Sequence, residues 1–303
     1  MHQRIHSEME NIFSNIDKQI ESNQGKNLLA NSKNATLKFI EETVLLCENP
    51  DNLPANSQDV LIEYTVNKVL DEFYRINQYF NFSKTDIDDL RQLYKNLFEA
   101  IRNQHQPIKQ IAEQHYQNLK NWLLKSNPFA EKINDPDKAI AETVACSEYS
   151  AELQLGILGI DVSNCMQPLL DIGCGKSFSL IQHLRDCHLD ACGFDRFPSA
   201  VPFVFQDDWL SFKYGVDTWG TIISHLGFAN HFRHHHFRQD GNYIEYAQTY
   251  MKILSSLKPG GSFHYCPDLP FIEEFLDPAK FSVTRLQTGN DAFQTVIVRR
   301  LHE

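Results

Sequence analysis

What the chain lacks narrows its function first. Its seven cysteines include no C-x-x-C pair and no zinc-ligand spacing. That excludes a zinc knuckle or a dithiol redox motif, and free thiols in a reducing compartment are expected. No apolar run is long enough to cross a bilayer, and residues 1–13 are polar and charged, with no signal-peptide pattern. Basic residues are in deficit: 28 Lys and Arg against 39 Asp and Glu give a formal net charge of -11. An acidic protein repels phosphate backbones, so nucleic acid is a poor partner. No repeat of fixed period is present. The expectation is a cytoplasmic protein with no membrane or nucleic-acid partner.

What is there centres on Leu169-Leu170-Asp171-Ile172-Gly173-Cys174-Gly175-Lys176-Ser177. Residues 169–172 read as a buried parallel strand. Gly173 and Gly175 make a tight turn, and residues 178–185 read as a helix with apolar Leu180, Ile181 and Leu184. Strand, glycine turn and helix together set a small molecule against bare main chain. A phosphate-binding P-loop needs glycine where Leu170 stands, so ATP and GTP are disfavoured. A dinucleotide turn wants a third glycine where Phe178 stands, which weakens NAD or FAD.

Four more strands follow. Residues 191–195 end in Asp195, about twenty residues past the glycines, where an acid can accept hydrogen bonds from ribose hydroxyls. Residues 201–205 lead into Gln206-Asp207-Asp208-Trp209, residues 219–224 form a fourth strand, and Leu257-Lys258-Pro259-Gly260-Gly261 leads into a fifth. Two further candidates, residues 281–288 and 293–301, flank a turn at Gly289-Asn290-Asp291. Alternating strands and helices predict a parallel sheet.

In this order, D-x-G-C-G, G-F-D, Q-D-D-W and L-K-P-G-G resemble the class I S-adenosylmethionine-dependent methyltransferases. The resemblance implies an α/β fold: a doubly wound, mostly parallel seven-stranded sheet with an antiparallel last strand. It also implies S-adenosylmethionine as cofactor and, by position, several site residues. Asp171 supports the turn and reaches the methionine amino group through water, with Gly173 and Gly175 beside it. Asp195 takes the ribose, and Asp208 the adenine amine with Trp209 flanking the ring; Asp207 is the rival acid. Tyr149, on a helix read over residues 138–158, touches the methionine end. Lys176 either pairs with the cofactor carboxylate or is solvated.

In the same family the loop after strand four faces the methyl group, which brings in Ser224, His225 and His231. That loop has neither an N-P-P-Y nor a Pro-Cys sequence, which argues against methylation of adenine or glutamine amides and against cytosine-C5 chemistry. A histidine there can act as base at neutral pH. His264, past strand five, and Asp268 are secondary candidates. His231, His234 and His235 would share a helix face, but no acid lies near in sequence and Arg233 and Arg238 add repulsion, so no metal is expected.

Residues 1–130 read as an all-helical domain of four or five amphipathic helices. Its stripes include Ile62, Val66, Val69 and Phe73, then Leu90, Tyr94, Leu97 and Ile101, with Thr85 and Asp88 as a capping pair. His115 on such a stripe reads as a packing residue. The bundle is either a cap that selects substrate or a homodimer surface. Residues 131–303 then form the cofactor domain.

The leading function is methyl transfer from S-adenosylmethionine to oxygen or nitrogen of a small-molecule substrate. The alternatives are a catalytically silent cofactor-binding regulator and an NAD-dependent oxidoreductase.

Overall fold

The computed structural model describes residues 57–103, 106–132, 148–288 and 293–302, together with Glu10, Phe13, Ser14, Ile16, Asp17 and Ile20. The chain divides into two compact units, Met1–Ser147 and Glu148–Glu303, a division later than residue 130. Among the described residues no helix is long and apolar enough to cross a membrane.

In the first unit, helices α1 (Ser57–Ile76), α2 (Lys84–Asn103) and α3 (Ile108–Ser126) bury the stripes read from the sequence. Val66, Leu90 and Leu123 are completely enclosed. Phe82 stacks on Trp122 at 4.9 Å, and the Trp122 indole N–H donates to the Asp86 carbonyl at 2.8 Å. The capping pair is Ser83 with Asp86, not Thr85 with Asp88. Asp86 accepts from the Ser83 N–H at 2.8 Å, and the Ser83 hydroxyl accepts from the Asp86 N–H at 3.2 Å. His115 is buried against Tyr94 and its pKa is pushed down to about 4 by burial, as befits a packing histidine. The residue 37–47 stripe and residues 133–147 lie outside the described residues.

The second unit opens with Glu148 to Ser150 extended, and its first helix, α4 (Ala151–Leu158), is capped by the Ser150 hydroxyl. The helix read over residues 138–158 does not run through Glu148, Tyr149 and Ser150: these lead into α4, so Tyr149 is not on a helix, and residues 138–147 lie outside the described residues. Gly159 closes α4 in the left-handed region at φ 61°.

Then come β1 (Leu169–Ile172), α5 (Ser179–Asp186), β2 (Ala191–Asp195), β3 (Val204–Gln206), β4 (Trp219–His225), α6 (Phe228–Phe237), α7 (Tyr243–Ser256), β5 (Leu257–Cys266), α8 (Pro270–Glu273), β6 (Phe281–Gln287) and β7 (Gln294–Arg300). The seven strands form one sheet in the order β3-β2-β1-β4-β5-β7-β6. Only β7 is antiparallel to its neighbours.

All four residues of β1 are buried, because the strand is covered on both faces. Strand β3 starts later than residue 201. Pro202 has no N–H to give a ladder, and the Val204 N–H turns back to the Val201 carbonyl at 3.3 Å. One face of the sheet packs on α6 and α7 through Phe228, Phe232, Tyr250 and Phe263; the other packs on α4 and α5 through Leu158, Leu180 and Leu184. Strand order reverses between β1 and β4, and their carboxyl ends define the crevice.

Candidate functional site

The glycine turn leaves β1 at this crevice. Gly173 and Gly175 adopt φ of 95° and 74°, a region that strains any residue with a Cβ. The Gly173 and Cys174 N–H groups both donate to the Phe194 carbonyl, at 2.9 and 3.2 Å. The Asp195 carboxylate, at the end of β2, takes the Gly175 N–H at 2.9 Å and the Phe197 N–H at 3.4 Å. It therefore braces the turn itself; with the Arg196 main-chain N–H as a third donor, the carboxylate keeps about one of its roughly four acceptor sites free.

Asp171 sits in β1 just before the turn and is 3% exposed. Its Oδ2 has no hydrogen-bond partner among the described residues. Burial, followed by the charge of Asp195, pushes its pKa up to about 8. Past β3, Asp208 accepts from the Leu210 N–H at 2.8 Å, and burial raises its pKa also. Asp207 is held by the Asp208 N–H at 2.8 Å and the Ser211 hydroxyl at 2.7 Å, as a loop carboxylate would be.

The Trp209 indole lies between the loop after β1 and the loop after β4. A Cβ built on Gly173 would meet its Cζ2 at 3.2 Å, and one on Gly227 would meet the same atom at 3.4 Å. The Arg196 guanidinium lies 5.9 Å from the ring centre and reaches His231 Nε2 at 3.4 Å. His231 is buried with its ring 4.6 Å from Trp209.

His225 ends β4. Its Nε2 is buried with no hydrogen-bond partner among the described residues, and burial pushes its pKa down to about 4. Tyr149 meets it edge to face, with ring centres 4.8 Å apart. The structure thus brings Tyr149, Asp171, Gly173, Gly175, Asp195, Asp208, Trp209, His225 and His231 to the carboxyl ends of β1 to β4.

Two expected residues serve other purposes. Ser224 is fully buried; its hydroxyl donates to the Ile172 carbonyl at 3.3 Å and accepts from the Phe228 N–H at 3.1 Å, so it ties β4 to β1 and starts α6. His264 contacts the Ser262 hydroxyl at 2.9 Å and the Leu158 carbonyl at 3.0 Å through its two ring nitrogens. It lines a separate cavity of about 570 Å³ with Cys165, Thr221, Ser262 and Arg299, toward the starts of β4 and β5. It is a packing and hydrogen-bonding residue there, not a base at the crevice.

The remaining histidines disperse along α6. His234 contacts Arg238 at 3.0 Å, His235 stacks on Tyr246 and accepts from the Asn242 N–H, and His236 stacks on Phe271 at 3.7 Å. Among the described residues no three His, Cys, Asp or Glu side chains converge as a metal site would require.

Two residues were not singled out from sequence. Arg196 is one. Glu148 is the other: its carboxylate accepts from the Lys176 N–H at 2.9 Å and from the Ser177 hydroxyl, directly over Gly175. The Lys176 ammonium lies 5.7 Å over the Phe197 ring. Glu148, Asp171 and Asp195 together surround Cys174, and burial and these charges push its thiol pKa up.

The strand order, with β7 alone reversed, decides the architecture. It is the class I S-adenosylmethionine-dependent methyltransferase fold. Solved structures similar to this methyltransferase fold include an S-adenosylmethionine-dependent methyltransferase from Listeria monocytogenes. It is 13% identical over 51% of this chain and 100% of that one, with a TM-score of 0.36. The N-methyltransferase NodS from Bradyrhizobium japonicum WM9, in complex with S-adenosyl-L-homocysteine, is 14% identical over 50% of this chain and 85% of that one, at 0.36. A 1,6-didemethyltoxoflavin N1-methyltransferase from Burkholderia thailandensis is 10% identical over 50% of this chain and 76% of that one, at 0.31. These likenesses are of fold. No protein-family model and no curated protein matches the sequence.

Proposed function

We propose that the chain is an enzyme that moves a methyl group from S-adenosylmethionine to an oxygen or nitrogen of a small molecule. One observation carries the reading. Asp171, Asp195 and Asp208 sit at or just past the ends of three adjacent strands around a bare glycine turn, and the Asp171 Oδ2 is buried without a partner among the described residues. An orphaned buried carboxylate is costly unless a donor or cation meets it. S-adenosylmethionine brings donors of that kind in its ammonium, ribose hydroxyls and adenine amine, and it supplies a methyl group already activated on a sulfonium.

The same carboxylates disfavour a dinucleotide. A pyrophosphate prefers helix-terminal N–H groups clear of negative charge. Here Glu148 sits on those groups and Asp171 and Asp195 lie behind them. Asp171 would meet the ammonium side, the remaining lone pair of Asp195 the ribose, and Asp208 the adenine amine. Gly173 and Gly175 let the ligand approach the main chain.

His225 is the residue placed to handle the acceptor. With its pKa pushed down to about 4 it is neutral at pH 7, and with the proton on Nδ1 its Nε2, which has no partner among the described residues, would accept a hydrogen bond from the substrate. That bond would aim the lone pair of the acceptor's oxygen or nitrogen at the methyl carbon and draw off the proton as the new bond forms. Tyr149, edge-on, restricts the ring's swing.

Calorimetry should show binding of S-adenosylmethionine and S-adenosylhomocysteine and none of NAD. Incubation with S-adenosylmethionine and a metabolite extract should accumulate S-adenosylhomocysteine. NAD binding alone would overturn the reading; binding without turnover would leave a silent cofactor-binding protein. With the acceptor in hand, His225→Gln should lower kcat on the order of 10²-fold while cofactor affinity holds. The wild-type rate should stay flat through neutral pH and lose its base only as pH falls toward about 4, where His225 gains a proton.

A further inference from the structure

The crevice is crossed by two of the chain's own side chains, one from each direction. Glu148 places its carboxylate on the Lys176 N–H at 2.9 Å and on the Ser177 hydroxyl, over Gly175. These donors lead into α5, at the end of a helix whose unpaired N–H groups attract anions. The chain thus supplies from within the group that a ligand carboxylate would offer.

Trp209 closes the other side. Its Cζ2 lies within van der Waals contact of both the Gly173 and Gly227 positions, which are the first residues past β1 and the start of α6. Arg196 over the indole, His231 and Phe228 against its edges hold it in that place. Both side chains rest on the glycine positions where the main chain is otherwise bare.

We infer that Glu148 and Trp209 hold the cofactor crevice closed, and that a nucleoside ligand enters only by displacing the indole, one that carries an amino acid by displacing Glu148 as well. The amino-acid carboxylate of the ligand takes over the Lys176 and Ser177 donors from Glu148, and its body takes the space of the indole. The inference rests on the S-adenosylmethionine reading of the site. A binding site that is open for only a fraction of the time shows its affinity reduced by that fraction. Removing either closing group should therefore strengthen or speed binding, the reverse of what a wall or a ligand contact would do.

Two probes separate the closing groups: S-adenosylhomocysteine, and 5′-methylthioadenosine, which is the same nucleoside thioether without the amino acid. In Glu148→Ala, calorimetry should show S-adenosylhomocysteine bound about 3- to 10-fold more tightly and 5′-methylthioadenosine unchanged. In Trp209→Ala, or Trp209→Phe if the alanine variant melts early, stopped-flow association of both probes should be about tenfold faster.

Weaker S-adenosylhomocysteine binding in Glu148→Ala would mean that this carboxylate holds the ligand. Weaker or slower binding of both probes in the Trp209 variants would mean that the indole is a wall of the site. Either result, or unchanged binding in either variant, overturns the closure and leaves the cofactor reading standing. Failure of the wild type and all variants to bind either probe overturns both.

Discussion

Asp171→Asn should flatten the dependence of stability on pH. The wild-type carboxyl has its pKa raised to about 8 by burial, and by the charge of Asp195, against an ordinary value near 3.8. Between those values the native state keeps a proton that the unfolded chain releases. The stability this one group contributes is then full below about pH 4, falls by about 1.4 kcal/mol per pH unit from there to about pH 8, and is level beyond.

The buried histidines work the other way. His225 and His235, pushed down to about 4, add stability as pH rises through the ordinary histidine range. They are common to both proteins, so the difference between wild type and Asp171→Asn isolates the aspartate. Urea melts from pH 5 to 8 should give the variant a rising advantage of about 2–4 kcal/mol, less whatever its unpartnered amide costs. Parallel curves would show that Asp171 is ionised in the native state. Saturating S-adenosylhomocysteine should stabilise the wild type most at the alkaline end, because a donor or cation against Oδ2 relieves the same penalty. The variant gains stability and gives up ligand affinity, a trade common at binding sites.

Asp195→Ala should weaken S-adenosylhomocysteine binding by about 10- to 100-fold, or about 1–3 kcal/mol, the usual worth of charge-assisted hydrogen bonds. Two losses combine. The ribose loses its acceptor, and the Gly175 N–H loses the 2.9 Å bond that fixes the turn. Asp208→Ala should cost less, since its 2.8 Å bond to the Leu210 N–H braces a loop past β3 and not the glycine turn. Calorimetry on folded variants reads both. An unchanged affinity in Asp195→Ala would remove the residue from the site.

The parts of this site that could be read from sequence are those whose meaning is local. Leu169 to Ile172 is a continuous apolar run apart from Asp171, and a strand covered on both faces must look like that. The glycines at 173 and 175 are demanded by positive φ, so the turn shows in the letters. Asp195 follows from the spacing of one β-α-β unit.

What could not be read depends on partners distant in the chain. His264 looked free because the carbonyl that engages it is at Leu158, more than a hundred residues earlier. Ser224 looked like a loop residue until β1 was laid beside β4 and its hydroxyl found the Ile172 carbonyl. Glu148 carried no signal because its donors lie at Lys176 and Ser177. At the edge strand, Pro202 was a legible warning that the ladder starts at Val204. The capping pair failed for a similar reason: Ser83-x-x-Asp86 and Thr85-x-x-Asp88 fit one pattern, and the packing of Phe82 on Trp122 chooses between them.

The reversal of β7 bears on how the chain comes off the ribosome. This strand slots between β5 and β6, both made before it. Until residues 294–300 emerge, β6 has nothing to pair with and the flank of β5 stays open. A nascent chain paused at that stage presents two unfinished strand edges to chaperones or to neighbouring polypeptides. Residues 294–300 thus act as a fastener for a sheet whose ligand-binding strands were all made before them.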